Sequence, residues 1–166
     1  HVHVICLQEG IHNLPENVTV HSLGKEVGRS KFGYLFTFYR LIWGLQKEYD
    51  NVFVHMNQMY VLLGFPVWRL LRKKIGLWYT HGSISTSLRI ATFLTKKIFT
   101  ASADSFKIKS RKVVVTGHGI DVDRFTMLRV EKSRDLITVG RVTESKNLLT
   151  LVNYLCEIRK QVSVML

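Results

Sequence analysis

Short apolar runs alternate with amphipathic segments along most of this chain. The runs are rich in Val, Ile and Phe and have the length of buried strands. They cover residues 2–7, 18–23, 51–56, 75–80, 98–101, 113–116, 136–139 and 162–166. Between them, apolar residues recur at helical spacing over 32–43, 60–74 (with Pro66 as a break or a fresh helix start), 85–97 and 148–158. Short strands separated by helices predict an α/β fold with a parallel sheet covered on both faces.

Polar side chains follow four of the predicted strands, at the point where each strand ends. They are His55 and Asn57, His81, Ser102, and the segment Gly117-His118-Gly119. Ligands of parallel sheets gather at the carboxyl ends of the strands, so these positions predict a single polar crevice. His81 is followed by glycine and therefore reaches a ligand with little steric hindrance. The alternative is a histidine at the edge of the core, bonded to a backbone carbonyl.

Two glycine-containing phrases carry the most chemical information. The first is Gly117-His118-Gly119-Ile120-Asp121, followed by Phe125, and the second is Val139-Gly140-Arg141-Val142-Thr143-Glu144-Ser145-Lys146-Asn147. In the second phrase a strand, a glycine, two cations and a helix start predict an anion pocket. Free N–H groups and the helix dipole both attract negative charge there. The alternative is that Arg141 and Lys146 are simply exposed to solvent at a helix start.

The pair of phrases resembles the centre of the retaining GT-B glycosyltransferases (the glycosyltransferase group 1, or family 4, type). The resemblance implies that Gly140, Arg141 and Lys146 bind the diphosphate of a nucleotide-sugar donor. Two fixed cations would stabilise the negative charge that this leaving group gains in the transition state. It also implies that His81 is the catalytic residue that orients or polarises the donor sugar, without acting as the nucleophile.

The remaining site residues have two sources. By the strand-end argument His55 and Asn57 are expected on the acceptor side, and the alternative is a structural role for both. Gly119 and Asp121 match the family's Asn-Gly-(Val/Ile)-Asp phrase as hinge and structural residues, whereas His118 replaces its asparagine. The donor would be a nucleoside-diphosphate sugar and the acceptor a glycan or a lipid-linked molecule. The implied transfer retains the sugar configuration and uses no metal and no cofactor.

By this resemblance the chain contains parts of two Rossmann-like domains. Residues 1–125 would form the acceptor-side domain, incomplete at its N-terminus, residues 126–135 the linker, and residues 136–166 the first βαβ step of the donor domain. The family's first strand and glycine-rich loop would precede His1, and its pair of donor-binding glutamates would follow Leu166. We therefore expect an internal fragment that is inactive alone. The parent would be a hexosyltransferase with its chemistry in the crevice between domains.

The net charge of +12 is unevenly distributed. Between Asn51 and Lys112, eleven Lys or Arg residues accompany a single acid, Asp104. Such a surface attracts phosphate-rich partners: anionic lipid, nucleic acid or a charged sugar acceptor. A helix over Trp68–Lys74 would suit an anionic membrane surface, which a lipid-linked acceptor requires. Alternatively, its leucines pack on the sheet and its cations face water.

Several classes of protein are excluded or disfavoured. Cys6 and Cys156 are single and distant, which excludes a disulfide framework and favours a reducing cytoplasmic compartment. The basic helix and a lipid-linked acceptor would make the protein peripheral on the inner face of the plasma membrane. No His, Cys and Asp cluster has metal-ligand spacing, so no metal is expected. Two rivals remain: a non-catalytic basic α/β module that binds anionic membrane or nucleic acid, and a Rossmann-like enzyme of the carbohydrate epimerase type. Nucleic acid is disfavoured because RRM, KH and helix-turn-helix signatures are missing.

Overall fold

Six of the eight predicted strands are formed, each within two residues of its predicted ends. They are β1 (Val2–Cys6), β2 (Val18–Ser22), β3 (Asn51–His55), β4 (Lys74–Trp78), β5 (Lys97–Thr100) and β6 (Val113–Val115). The computed structural model describes residues 1–10, 13–126 and 137–164, and the chain divides into two units, His1–Ile120 and Asp121–Leu166. The predicted linker lies outside the described residues apart from Thr126.

All strand pairs in the described part of the chain are parallel, which confirms the predicted α/β class. The strands form two sheets where one was predicted: β1 pairs with β2, and β3-β4-β5-β6 pair in that order. Parallel neighbours need crossover connections. In the four-stranded sheet, α2 (Gln58–Leu70) connects β3 to β4 and α3 (Thr86–Leu94) connects β4 to β5, whereas the segment between β5 and β6 contains a 3₁₀ turn. α1 (Lys31–Gly44) connects β2 of one sheet to β3 of the other. This arrangement is compatible with a Rossmann-like fold.

Each of these helices begins at a side chain that caps it. Ser30, Asn57 and Ser85 have extended backbones, and their side-chain oxygens accept hydrogen bonds from the amides of the first turn. An N-cap oxygen satisfies one of the amides that have no intrahelical partner. Local sequence therefore determines where α1, α2 and α3 start. α3 ends at Leu94, earlier than predicted, because Thr95 returns to an extended backbone and leads into β5.

Pro66 lies inside α2, where the sequence predicted a break or a fresh helix start. The helix continues through it, although proline removes one backbone donor and crowds the carbonyl four residues earlier. Tertiary packing outweighs this cost. Trp68, only 3% exposed, packs edge-on against Phe38 of α1, and the Tyr39 hydroxyl donates a 2.8 Å hydrogen bond to the Leu63 carbonyl.

The two faces of the four-stranded sheet differ in burial. Alternate residues on the helix-covered face are buried, among them Val54, Leu77 and Ile98. On the other face the rings of Phe53 and Phe99 lie 5.7 Å apart, and Phe53 is 59% exposed. The prediction of a sheet covered on both faces is therefore only partly met.

The second unit corrects two of the predicted strands. Residues 137–139 form no strand, and α4 (Leu148–Val164) occupies the start of the segment predicted as the strand 162–166. Leu136 and residues 165–166 lie outside the described part of the chain. A strand needs hydrogen-bonding partners on a neighbouring strand, whereas a helix satisfies its backbone within itself. Apolar periodicity alone cannot separate the two for so short a run.

Candidate functional site at the carboxyl edge of the four-stranded sheet

Three aromatic side chains meet where the strands of the four-stranded sheet end. His55 is the last residue of β3, and Trp78, the last residue of β4, lies opposite His55 in the strand register. His118 follows β6. The planes of the His55 and Trp78 rings are nearly parallel (3°), and their centroids lie 6.4 Å apart. The His118 ring meets the Trp78 ring edge-on, with centroids 6.2 Å apart. We call these three residues the aromatic array. It presents flat apolar surface beside imidazole nitrogens, a combination that can stack on a ligand and hydrogen-bond to it.

Trp78 is a site residue that the strand-end argument missed. The predicted strand extended past Trp78 to Thr80, so Trp78 lay inside it and not at its end. The signal was the register, because Trp78 occupies the position directly opposite His55. Cross-strand neighbours share a face of the sheet and interact directly.

Met56, between His55 and Asn57, has an uncommon backbone. Its φ of 58° lies in the left-handed region, which costs about 1–2 kcal/mol for a residue other than glycine. Its amide donates to the Trp78 carbonyl at 2.8 Å, and the Thr80 hydroxyl contacts its sulfur at 3.3 Å. Such conformations persist only where the surroundings fix them, and they cluster at binding and catalytic sites.

Asn57 combines a structural contact with a place beside a cavity. Its side-chain oxygen accepts the Met59 amide at 3.1 Å and caps α2, which leaves the NH2 group for a ligand. The cavity, of about 320 Å³, has aromatic walls that include Phe38 and Tyr60, and Lys31 also lines it. Burial raises the pKa of the Tyr60 hydroxyl above its ordinary value.

His81 lies in the exposed loop between β4 and α3. Its ring is 6.3 Å from that of the buried Tyr79. Lys107, a neighbour that the sequence did not indicate, passes close to this loop: a Cβ built on Gly82 would lie 3.5 Å from its Cε atom. The exposure of His81 disfavours the alternative of a histidine at the edge of the core. Its imidazole can therefore reach a ligand at this edge of the sheet.

Asp121 shapes the turn that follows the first glycine phrase. Its carboxylate accepts the Arg124 amide at 3.1 Å, and its carbonyl accepts the Phe125 amide at 2.9 Å. Gly117 has a φ of +74°, a left-handed conformation that favours glycine. A Cβ built on Gly117 or on Gly119 would meet nothing within 4 Å. The geometry of Asp121 is that of a residue that holds a turn.

The second glycine phrase differs from the predicted anion pocket. No strand precedes Gly140 among residues 137–139, and α4 begins only at Leu148, after a single 3₁₀ turn over Glu144–Lys146. Arg141 and Lys146 are both exposed, and a Cβ on Gly140 would meet nothing within 4 Å. The structure therefore shows no strand directly before Gly140 among the described residues, and of the two cations only Lys146 lies next to the start of α4. Their role rests on the resemblance alone.

A histidine pair outside this edge also escaped sequence analysis. His3 Nδ1 and His21 Nε2 lie 3.0 Å apart across the β1–β2 pair, and His3 Nε2 is 3.2 Å from the Glu48 carboxylate. Burial, followed by the nearby His3, lowers the pKa of His21. The three groups form a hydrogen-bonded chain, and no arrangement of His, Cys, Asp and Glu suited to a metal ion occurs among the described residues.

Three further observations concern the cysteines, the helices and the similarity of the chain to known proteins. Cys6 and Cys156 are free thiols. Of the described helices, none combines the length and apolarity that a membrane crossing needs. Comparison of the chain with family models, with curated proteins and with solved structures returns no match.

Proposed function

We propose that the full-length protein is a retaining glycosyltransferase that moves a sugar from a nucleoside-diphosphate carrier to an acceptor. The observation that carries this proposal is the aromatic array at the carboxyl edge of a parallel sheet, the edge at which ligands of α/β folds bind. Stacking surface with adjacent hydrogen-bonding groups suits a sugar or a nucleotide. The two glycine phrases, which resemble those of GT-B enzymes, supply the reaction class.

Each group has a distinct role in the proposal. His81 orients the donor sugar, and His55 and Asn57 contact the acceptor. Arg141 and Lys146 bind the donor diphosphate and stabilise the charge that it gains as the glycosidic bond breaks. In this proposal residues 1–125 belong to the acceptor-side domain and residues 136–166 to the donor domain.

The acceptor in this proposal is a glycan or a lipid-linked molecule. The enzyme would act in the cytoplasm, peripheral on the inner face of the plasma membrane, without a metal.

Saturation-transfer NMR on the full-length chain with GDP- and UDP-sugars tests this assignment. We expect transfer to one nucleotide-sugar, an affinity about tenfold weaker in Arg141→Gln, because one charge-assisted bond to phosphate is lost, and near-native affinity in Arg124→Gln, which removes another exposed cation of the same unit. An absence of saturation transfer to every nucleotide-sugar, or equal losses of affinity in the two variants, would contradict the donor assignment.

The rival to this proposal is a non-catalytic basic module. Among the described cations between Asn51 and Lys112, Lys73 alone has an acidic partner within 4.0 Å, so most of that positive charge is uncompensated. Such a module would bind anionic membrane or nucleic acid with a steep dependence on salt, and nucleotide-sugars would not compete.

A further inference from the structure

A second cavity lies at the opposite edge of the four-stranded sheet, where β4 and β5 begin and α2 and α3 end. Its volume is about 290 Å³. Four cations line it, together with an apolar floor of Phe65, Ile75 and Leu94 and the backbone around Thr95. The cations are Arg69, Lys73, Lys74 and Lys96. We call it the basic cavity, and it owes nothing to the residues of the proposed glycosyltransferase site.

Cations near a helix C-terminus often hydrogen-bond to the last carbonyls of the helix and interact favourably with its dipole. At the end of α2, backbone amides already satisfy the last carbonyls. The Arg72 amide donates to the Arg69 carbonyl at 3.2 Å, and the Lys73 amide donates to the Trp68 carbonyl at 2.8 Å. This is a Schellman motif, with Arg72 in the left-handed position at φ 55°. α2 therefore needs no side-chain cation at its end.

The end of α3 is satisfied by a residue outside the cavity lining. The Lys112 ammonium donates to the carbonyls of Thr92 at 3.0 Å and Phe93 at 2.7 Å, and the Thr95 amide donates to Ala91. Lys96, two residues beyond the helix, is therefore not required as a cap. Neither helix end explains the cations that line the cavity.

One of the four cations has a structural task, and three do not. Lys73 donates to the Tyr49 carbonyl, lies 4.9 Å over the Tyr49 ring and is 3.8 Å from the Asp50 carboxylate. Arg69, Lys74 and Lys96 are exposed, and none of them has an acid within 4.0 Å in the described part of the chain. Like charges gathered without an anion repel one another, and a bound anion would remove that repulsion.

We propose that the basic cavity binds a phosphate or diphosphate group. One guanidinium and two ammonium groups around a single cavity provide several charge-assisted donors for a multiply charged anion. The cavity is larger than one carboxylate needs, and its apolar floor can contact the part of the ligand that carries the phosphate. That part is either a free phosphorylated metabolite or the headgroup of an anionic lipid.

The test compares two double variants that each remove two positive charges. Lys74→Gln with Lys96→Gln alters the basic cavity, and Lys25→Gln with Arg89→Gln alters exposed cations elsewhere. All four side chains are exposed, so both variants should fold, which circular dichroism checks. The probes are inorganic diphosphate, followed by amide chemical shifts, and phosphatidylcholine vesicles with or without phosphatidic acid, followed by co-sedimentation.

We expect diphosphate to shift the amides of Lys74 and Lys96, with an affinity about tenfold weaker in the cavity variant and nearly unchanged in the control. Binding only to vesicles that contain phosphatidic acid, lost in the cavity variant, would also support the site and identify a lipid headgroup as its ligand.

Three results would overturn the proposal. They are an absence of binding to both probes, equal losses in the two double variants, and binding only to a duplex oligonucleotide supplied as a third probe. Shifts that disappear in Arg141→Gln but persist in the cavity variant would place diphosphate at the proposed donor site. That result would overturn the basic cavity while leaving the glycosyltransferase proposal intact.

Discussion

Gly64, in the middle of α2, should be unable to accept even a methyl group. A Cβ built there would lie 2.7 Å from Cε3 of Trp68, and closer still to Cζ3 and Cη2 of the same ring. Carbon atoms normally pack at about 3.5–4.0 Å, so the indole would have to retreat by about 1 Å. Its edge-on contact with Phe38 blocks that movement, because both rings are buried in the core.

The expected loss in Gly64→Ala follows from two opposing terms. Alanine stabilises a helix interior by about 1 kcal/mol relative to glycine. Overpacking a core costs about 1–3 kcal/mol, and three ring atoms in simultaneous conflict place this case at the upper end. We therefore expect a net loss of about 2 kcal/mol in the free energy of unfolding, measured by urea titration.

Gly44→Ala is the matched control, since Gly44 is also helical and a Cβ there would meet nothing within 4 Å. It should be neutral or gain about 0.5–1 kcal/mol. A double-mutant cycle of Gly64→Ala with Trp68→Phe isolates the contact, and the smaller ring should recover more than about 1 kcal/mol. A Gly64→Ala variant as stable as Gly44→Ala, or an additive cycle, would refute this account of the packing.

The remaining predictions concern two buried hydroxyls and a partly buried histidine. The Thr100 hydroxyl is fully buried without a hydrogen-bond partner among the described residues, so Thr100→Val should gain about 1 kcal/mol in urea titration. Thr37→Val removes the hydroxyl that accepts a hydrogen bond from the Arg29 guanidinium, and it should lower the free energy of unfolding by about 1–2 kcal/mol. A loss of stability in both variants would contradict the conclusion that the Thr100 hydroxyl has no partner among the described residues. The pKa of His21 is lowered from 6.5 by burial, so the unfolded chain binds more protons, and stability should fall as the pH drops below about 6.5. His21→Gln should flatten that dependence, and superimposable pH profiles of the two proteins would sink the prediction.

Helix starts and strand positions were predictable because their causes are local. Ser30 and Ser85 cap α1 and α3 through residues three positions ahead, and β-branched runs place β3 and β6. Segments whose conformation depends on a distant partner were mispredicted. The apolar residues 137–139 have the composition of a strand, but the described residues provide no neighbour to pair with them. Two of the three residues of the aromatic array were predicted, and the third, Trp78, joins it through strand register.

The sequence by itself determined the α/β class, the order of strands and helices from β1 to β6, the positions where those helices begin and the excess of positive charge. Only the tertiary structure decided which cations hydrogen-bond to distant carbonyls and which line a cavity. Lys73 and Lys112 donate to carbonyls 24 and 20 residues away, while Arg69, Lys74 and Lys96 gather around one cavity. The same holds for the His3 and His21 pair, eighteen residues apart. The reason is physical: capping and periodicity act within a few residues, whereas hydrogen bonds and charge clusters across a fold depend on which distant segments pack together.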